Sequence, residues 1–591
     1  MPKVDPITVE IVKGALIYAS EEMGISLRNA AYSPNIRERM DHSCAIFDHE
    51  RRMIAQAEHI PVHLGSMAWA VREGLRLFRG ELDDGDMVIL NDPYISGTHL
   101  PDITLISPVF HKDEVVGYVA NKAHHSDVGG KAPGSMAGDA TEIYQEGIVI
   151  PPVKFVEGGE VIHDVARIIM SNVRTPDVRM GDLRAQMAGN IMGRRRILEM
   201  VERYGLATFR KACEEVLNYS ERMMRREISK IPEGRYEAED YLENTGVSDQ
   251  PVKLRVAVTV EDDHIKIDYT GTDPQAEGPV NAVWGVTLSG VYYTLRCVTD
   301  PSIPMNDGCH RPVKVYAPQG TVLNPTPPAP VAGGNVETSQ RNVDVLLKAF
   351  ARAIPHKVCA ACQGTMNNVS MGGLDPRTGR QWSFYETIAG GMGGRPTMDG
   401  IDGIHTHMTN TMNTPIEVAE KEFPMLFLKY GLRRDSGGAG RWRGGNGVER
   451  SWMLLSPSAT LSILAERTRI PPWGLYGGKS GAFGEYSIRR RDGTVVRLRS
   501  KCTVKMNKGD VLIVKTPGGG GYGDPLDRNP DLVLDDVVEG KVSLKSAYEE
   551  YGVVINRDAM RVDATATRKR RQGIRSSAGF LKKEAIGREG S

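Results

Sequence analysis

The sequence is short of several things, and each shortage excludes something. Its 591 residues hold only seven cysteines, odd in number and scattered, which fits reduced thiols and not a disulfide framework. Lys plus Arg and Asp plus Glu both total 74, so no net charge is left to draw in nucleic acid or an anionic membrane. No run of about 18 uncharged apolar residues occurs. The opening MPKVDPITVEIVKGAL also lacks the charged, apolar, then small-residue order of a secretion signal. These absences lead to the expectation of a cytoplasmic protein that meets a small molecule or a protein partner, and neither nucleic acid nor membrane.

What is there is length and pattern. The chain is longer than one core can serve, so roughly two to four domains are expected. Asp5 followed by Pro6 signals a helix start, and Val12, Leu16, Ala19, Met23 and Leu27 recur at helical spacing, which predicts a helix over 6–30. DMVIL, ITLISPVF and VVGYVANKA, between 86 and 123, read as neighbouring strands. Helical spacing returns over 182–231, and VKLRVAVTVEDDHIKIDYTGTD then alternates like a half-buried antiparallel sheet. TPPAP at 326–330 is the clearest linker candidate.

Beyond it lies a glycine-rich half with GGNVETSQR, AGGMGGR, SGGAGRWRGGNGVER, GLYGGKSG and TPGGGGYGDP. Such runs serve tight turns, close backbone packing or contacts to a ligand, and pattern alone does not separate these. The end, RKRRQGIRSSAGFLKKE, reads as a solvated or frayed basic tail. The fold expected is a multidomain α+β protein with a metal-binding α+β domain over 1–230 and a β-rich domain over 231–330. A glycine-rich α/β domain over 331–530 and a helical basic tail over 531–591 complete it.

Potential ligands crowd into the first quarter, in RERMDHSCAIFD with Asp41, NDPYISGTHLPD with His99 and Asp102, and NKAHHSDVGG with His124 and His125. Imidazole nitrogen and carboxylate oxygen together suit zinc, manganese or iron(II). If ITLISPVF and VVGYVANKA form a hairpin closed by His111 to Glu114, Phe110 faces Val115. Asp102 then faces Ala123 and Pro101 faces His124, so His99, Asp102 and His124 converge at one end. Asp41 joins if the turn after the first helix folds over that end. Two buried carboxylates side by side call for a cation, because otherwise one must take up a proton. The competing possibility is turn-capping aspartates and satisfied core histidines. His125, Asp92 and Asp127 are placed to orient ligands or carry protons, and His125 and Asp127 are the candidates for proton handling.

Three weaker signals have bland readings beside them. Cys359 and Cys362 form a CxxC that reads as core at a helix end before it reads as a redox or zinc pair. Glu337 and Arg341 either line a cavity or form an i, i+4 pair on a helix capped by Asn335 or Thr338. His405 and His407 offer ligands if they lie on one face of a strand. An unstrained amide resists water at neutral pH, so activation must come from somewhere, yet GLYGGKSG misses the phosphate-cradling GxxxxGK[ST] pattern because residue 473 is Trp473.

RERMDHSCAIFD, NDPYISGTHLPDITLISPVF, AHHSDVGGKAPGSM, GDLRAQMAGN, GGNVETSQRNVDVLL and ERTRIPPWGLYGGKSG together resemble the hydantoinase B/oxoprolinase family, over about 5–525. The resemblance implies a partner A-type ATPase subunit that binds ATP and phosphorylates the substrate, in an (αβ)2 heterotetramer. It also implies a divalent metal, zinc first and manganese or iron next, on His99, Asp102 and His124, with Asp41 as a further ligand. The reaction it implies is ring opening of a lactam, hydantoin or 5-oxoproline. Rival expectations are a subunit of an ATP-dependent ketone carboxylase, which would use bicarbonate, and a scaffold that only stabilises the ATPase.

Overall fold

The computed structural model describes residues 4–57, 59–78 and 80–588. The first three residues of the opening segment and the last three of the basic tail lie outside them. The helix Pro6–Ala30 starts where the sequence places it, with the Asp5 carboxylate accepting the Thr8 N–H at 3.2 Å. Val12, Leu16, Ala19, Met23 and Leu27 form its buried stripe against the helix Pro176–Tyr204, where Gly193 leaves room for Met23. The helical stretch expected over 182–231 is two helices, Pro176–Tyr204 and Leu206–Ile228, broken at Gly205.

Strands β1 (His42–Asp48), β2 (Met53–Gln56), β3 (Met87–Leu90), β4 (Asp102–His111), β5 (Glu114–His124), β6 (Val153–Glu157) and β7 (Glu160–Val161) build one antiparallel sheet, ordered β2-β1-β5-β4-β3-β6-β7. Helices Pro6–Ala30 and Pro176–Tyr204 pack on one face, and the helix His63–Gly74 packs from the other, against Trp284–Val298. Covered on both sides, β1 is buried along its whole length.

The hairpin turn is as expected, with Phe110 opposite Val115 and His111 opposite Glu114. A bulge at Val109/Phe110 then shifts the register by one, so Asp102 faces His124 and not Ala123. The extra residue is Val116, and one unpaired residue on one strand re-aims everything beyond it.

A second sheet joins β8 (Gly234–Leu242), β9 (Val252–Glu261), β10 (His264–Asp268) and β11 (Val313–Tyr316); the first three are antiparallel, and β11 runs parallel to β10. TPPAP is no free linker: Ile143 N–H donates to the Pro328 carbonyl at 2.9 Å and the Tyr94 hydroxyl to that of Ala329 at 2.7 Å. Just beyond, the Glu146 carboxylate takes the Val331 and Ala332 N–H groups.

GGNVETSQR also departs from expectation. Gly334–Thr338 is a π-turn that runs directly into the helix Ser339–Phe350, so neither Asn335 nor Thr338 caps it. Glu337 and Arg341 do not pair; Glu337 accepts from Met366 N–H and Asn368, while Arg341 reaches Asp240 at 3.3 Å and Glu466 at 3.1 Å. A Cβ on Gly334 would lie 1.8 Å from the Asn281 carbonyl oxygen, which fixes glycine there.

The rest is β12 (Asn368–Asp375), β13 (Arg380–Glu386), β14 (Met425–Leu432), β15 (Val448–Leu454), β16 (Ser458–Leu464), β17 (Glu485–Arg489), β18 (Val495–Arg497), β19 (Lys501–Asn507) and β20 (Val511–Lys515). They divide into sheets ordered β13-β12-β16-β19 and β14-β15-β20-β17-β18. The glycine runs beside them stack backbone on backbone. Gly518 and Gly519 hold ideal Cβ positions 1.8 and 2.0 Å from the carbonyl oxygens of Ser436 and Met392, so close packing is the use that the sequence left open.

The terminal helix Ala564–Arg588 is docked at its start. Arg570 and Arg571 donate to the Tyr548 and Tyr551 carbonyls at 2.8 and 2.9 Å. Among the described residues no helix is long and apolar enough to cross a membrane.

Candidate metal centre

Three strand ends meet at one rung of the first sheet. Asp102 opens β4 and faces His124, which closes β5. On the other side of β5, β1 pairs His42 with Ala123, and the Asp41 carbonyl accepts the His124 N–H at 3.0 Å. Strand pairing therefore brings Asp41 in, and no overhanging turn is needed. His99 arrives from the loop after the short helix Pro93–Ser96, where Gly97 takes a left-handed φ of 76° and the His99 carbonyl accepts the Asp102 N–H.

The result is a tight triangle. His99 Nε2 lies 3.2 Å from Asp102 Oδ1 and 3.1 Å from His124 Nδ1, and His124 Nδ1 lies 3.1 Å from Asp102 Oδ1. All three side chains are buried. A neutral imidazole carries one proton, and either placement of it fails here. Placed inside the triangle, it leaves His99 Nδ1 and His124 Nε2 as bare buried acceptors, with no partner among the described residues. Placed outside, it leaves three lone pairs facing one another.

A divalent cation resolves the inner side of the second arrangement, while the outer N–H groups of His99 and His124 stay without a partner among the described residues. Metal–ligand bonds of about 2.1 Å give ligand–ligand edges of about 3.0 Å in an octahedron and about 3.4 Å in a tetrahedron. The observed edges fall between, so the donor set fits a metal and leaves its identity open. A cavity of about 20 Å³ adjoins the triangle, with room for about one water-sized group, and Asp41, His63, Asn335, Tyr385 and Thr411 share its wall.

Electrostatics agree. Burial works against ionising Asp102, but His99, His124 and His63 outweigh it and hold the carboxyl well below its ordinary range. Burial pushes His124 and His63 below the usual imidazole value, toward the neutral form that ligates metals. Asp41 moves the other way: burial raises its carboxyl against the pull of His124 and Arg39, and the neighbouring Asp102 adds to the rise.

His63 was not legible as a site residue, being a single histidine among apolar neighbours. Ile60 N–H donates to Ser43 Oγ, whose hydroxyl meets His63 Nδ1 at 2.8 Å, and Nε2 meets Asp102 Oδ2 at 3.4 Å. That relay holds the Asp102 oxygen which the triangle does not use. Arg39 and Tyr385 were missed as well. The Tyr385 ring stacks on His124 with centroids 4.3 Å apart, and buried Arg39 donates to the Tyr385 and Met412 carbonyls and to the Thr387 and Thr411 hydroxyls. Lys122 pins the loop that carries His99, donating to the Ser96 carbonyl at 2.7 Å and to Thr98 Oγ1 at 3.0 Å.

Burial depresses the Lys122 ammonium to about 7 from an ordinary 10.5. Between those values the unfolded chain binds a proton that the folded chain does not, so this group makes stability rise with pH across the window. Thermal melts from pH 7 to pH 10 should show Lys122→Met lacking that part of the wild-type increase. Parallel profiles would mean that the amine stays charged.

The structure does not bring the two proton-handling candidates into the cluster. His125 turns toward the helix Pro176–Tyr204, where its Nε2 meets Gln186 Oε1 at 2.9 Å. The Asp127 carboxylate takes the N–H groups of Gly129, Gly134 and Arg174 and the Arg174 guanidinium at 2.8 Å, tying down its own loop. Asp92 caps the helix Pro93–Ser96 by accepting Tyr94 N–H. His405 and His407 do not lie on a strand; His407 has φ 55° and pairs with Asp344 at 3.2 Å.

Comparison with known proteins adds the last observations. The Hydantoinase B/oxoprolinase family model matches residues 5–525. An uncharacterized protein of Methanocaldococcus jannaschii is 48% identical over 96% of this chain and 100% of its own length. The B-type subunit of a putative D-/L-hydantoinase from a Pseudomonas species is 36% identical over 97% and 99%. 5-oxoprolinase 1 of Arabidopsis thaliana is 37% identical over 88% of this chain, which spans 42% of that longer protein. Among solved structures, the ATP-dependent caprolactamase from Pseudomonas jessenii superposes with a TM-score of 0.90 at 32% identity, over 97% of this chain and 100% of its own. A nucleotide-free acetone carboxylase reaches 0.91 at 22% identity, over 98% and 85%, a likeness of fold.

Proposed function

The chain belongs to the hydantoinase B/oxoprolinase family, and on that footing we propose that it is the metal-bearing subunit of an ATP-dependent cyclic amidase. The observation that carries the reading is the triangle of His99, Asp102 and His124. Its partner is an A-type subunit that binds ATP and phosphorylates the carbonyl oxygen of the cyclic amide, in an (αβ)2 assembly. Support for the division of labour is that this chain has no phosphate-cradling GxxxxGK[ST] loop, and that it spans only 42% of the longer 5-oxoprolinase 1.

When bound, a divalent cation, zinc before manganese or iron, supplies Lewis acidity for activating water or a carbonyl oxygen. His99, Asp102, His124 and Asp41 hold it. His63 and Ser43 fix the Asp102 carboxylate, Lys122 fixes the loop before His99, and the Tyr385 ring covers His124 and keeps bulk water out. The setting is the cytoplasm.

Co-production with the A-type subunit tests the reading, with phosphate release measured against lactams, hydantoins and ketones, with and without bicarbonate. The expected result is release with a cyclic amide, independent of bicarbonate. Release with ketones alone, and only when bicarbonate is present, would make the protein a carboxylase subunit. No turnover with any substrate, and no metal in the chain, would leave it a scaffold.

A further inference from the structure

Beside the metal centre lies a much larger cavity, about 800 Å³, and Ile60 and Thr409 line both. Among the described residues its wall contains no carboxylate, yet it holds Arg296, Lys357 and Arg395 together with four histidines. Burial keeps His405 neutral, so the charge of the wall comes from Arg296, Lys357 and Arg395, and nearby cations repel one another unless an anion sits among them.

The three cations differ in how they are engaged. Arg296 is held by the Ile303 and Pro301 carbonyls. Lys357 donates to the Val298 carbonyl at 3.1 Å and stands 3.9 Å from Glu227. Arg395 has no carboxylate partner among the described residues. Its Nη2 reaches only the Asp399 carbonyl, at 3.1 Å, and its Nε is buried with no partner. The Asp399 carboxylate, four residues on, is taken, since both its oxygens bind Arg528, at 2.6 and 2.8 Å. Arg395 lines the cavity without a carboxylate partner among the described residues, and a guanidinium so placed is the usual receptor for a carboxylate or phosphoryl group.

We infer that this cavity is the substrate chamber and that Arg395, flanked by Lys357, selects cyclic amides that carry an anionic group, holding that group while the ring faces Ile60, Thr409 and the metal centre. The inference rests on the amidase reading and names the substrate class for it. The cavity's size agrees: it is in the range that binds drug-sized molecules, and a bare lactam ring would fill only a part of it. The anionic group is either the substrate's own carboxylate or a phosphoryl group added to it, and both present the same paired oxygens to Arg395.

Calorimetric titration of the purified complex separates these sources, and it needs no turnover. The probes are 5-oxoproline, a lactam with a carboxylate, caprolactam, a lactam without charge, and inorganic phosphate. Wild type should bind 5-oxoproline or phosphate and ignore caprolactam at the same concentrations. Arg395→Gln should weaken that binding by at least about tenfold, with Arg395→Lys between. Binding of 5-oxoproline marks the carboxylate as the recognised group, and binding of phosphate alone marks the phosphoryl.

Equal anion affinity in wild type and Arg395→Gln, or tighter binding of caprolactam than of either anion, would overturn the inference. Metal content, measured on the same samples, reports whether the variant is folded and whether the metal centre stands. A wild type that binds anions through Arg395 but holds no metal would sink the amidase reading and leave the anion site. Lys357→Gln gives a second, milder loss at a residue outside any sheet.

Discussion

Asp102→Asn should empty the metal centre. The Asp102 carboxylate supplies the one oxygen of the triangle, stands within 3.2 Å of both imidazoles, and is the negative charge that would balance a cation there. Asparagine keeps the shape and a carbonyl oxygen but not the charge, so the loss is of affinity and not of fold. The expected drop exceeds 100-fold, because changes one step further out already cost about 10–100-fold. His63→Ala, which removes the support on the second Asp102 oxygen, should fall within that smaller range. Elemental analysis after dialysis against a weak chelator reads both. Ring opening should disappear in Asp102→Asn while assembly with the A-type subunit persists; a variant that keeps stoichiometric metal would show that the triangle is not the binding site.

The largest effect on stability should come from Glu466→Ala. Glu466 is fully buried and holds two cations at once, Arg341 Nη2 at 3.1 Å and the Lys501 ammonium, while also accepting the Glu243 N–H. Arg341 is 0% exposed and Lys501 1%. Removing one partner from a buried pair costs about 3–5 kcal/mol, because the other charge is left without solvent or counterion. Here the Lys501 ammonium is left with the Ala465 carbonyl and Arg341 keeps Asp240, so a loss within that range is expected, seen as a fall of several degrees in melting temperature or as loss of soluble protein. Glu466→Gln, which can still accept hydrogen bonds, should lose less. Melting of Glu466→Gln with wild type would mean that the charges in this network do not matter. The network bears on the site, since Arg341 lies on the helix that the Gly334–Thr338 turn feeds, and Asn335 and Val336 of that turn line the metal cavity.

The sequence carried more of the metal centre than of its surroundings, for reasons visible in single residues. His99, Asp102 and His124 belong to one hairpin and the loop before it, so local pairing sufficed to bring them together. The turn of that hairpin was readable and its register was not, because the bulge at Val116 leaves no mark in a run of apolar residues. Arg39 and Tyr385 are 346 positions apart and meet only through packing of the two halves. A π-turn such as Gly334–Thr338 has no spacing that distinguishes it from an ordinary helix start. His125 and Asp127 drew attention by standing next to His124, yet β5 ends at His124 and the chain beyond it turns His125 toward Gln186. The charge of the chamber wall was invisible for a different reason: it is assembled from Arg296, Lys357 and Arg395, and consists as much in the absence of acids as in the presence of bases.

Anomalous diffraction from crystals of the purified complex, recorded at the absorption edges of zinc, manganese and iron, tests the central claim most directly. One strong peak is expected, bonded to His99 Nε2, Asp102 Oδ1 and His124 Nδ1, with Asp41 beside it. A map with those side chains well defined and no peak between them, or with a peak only at His405 and His407, would contradict it.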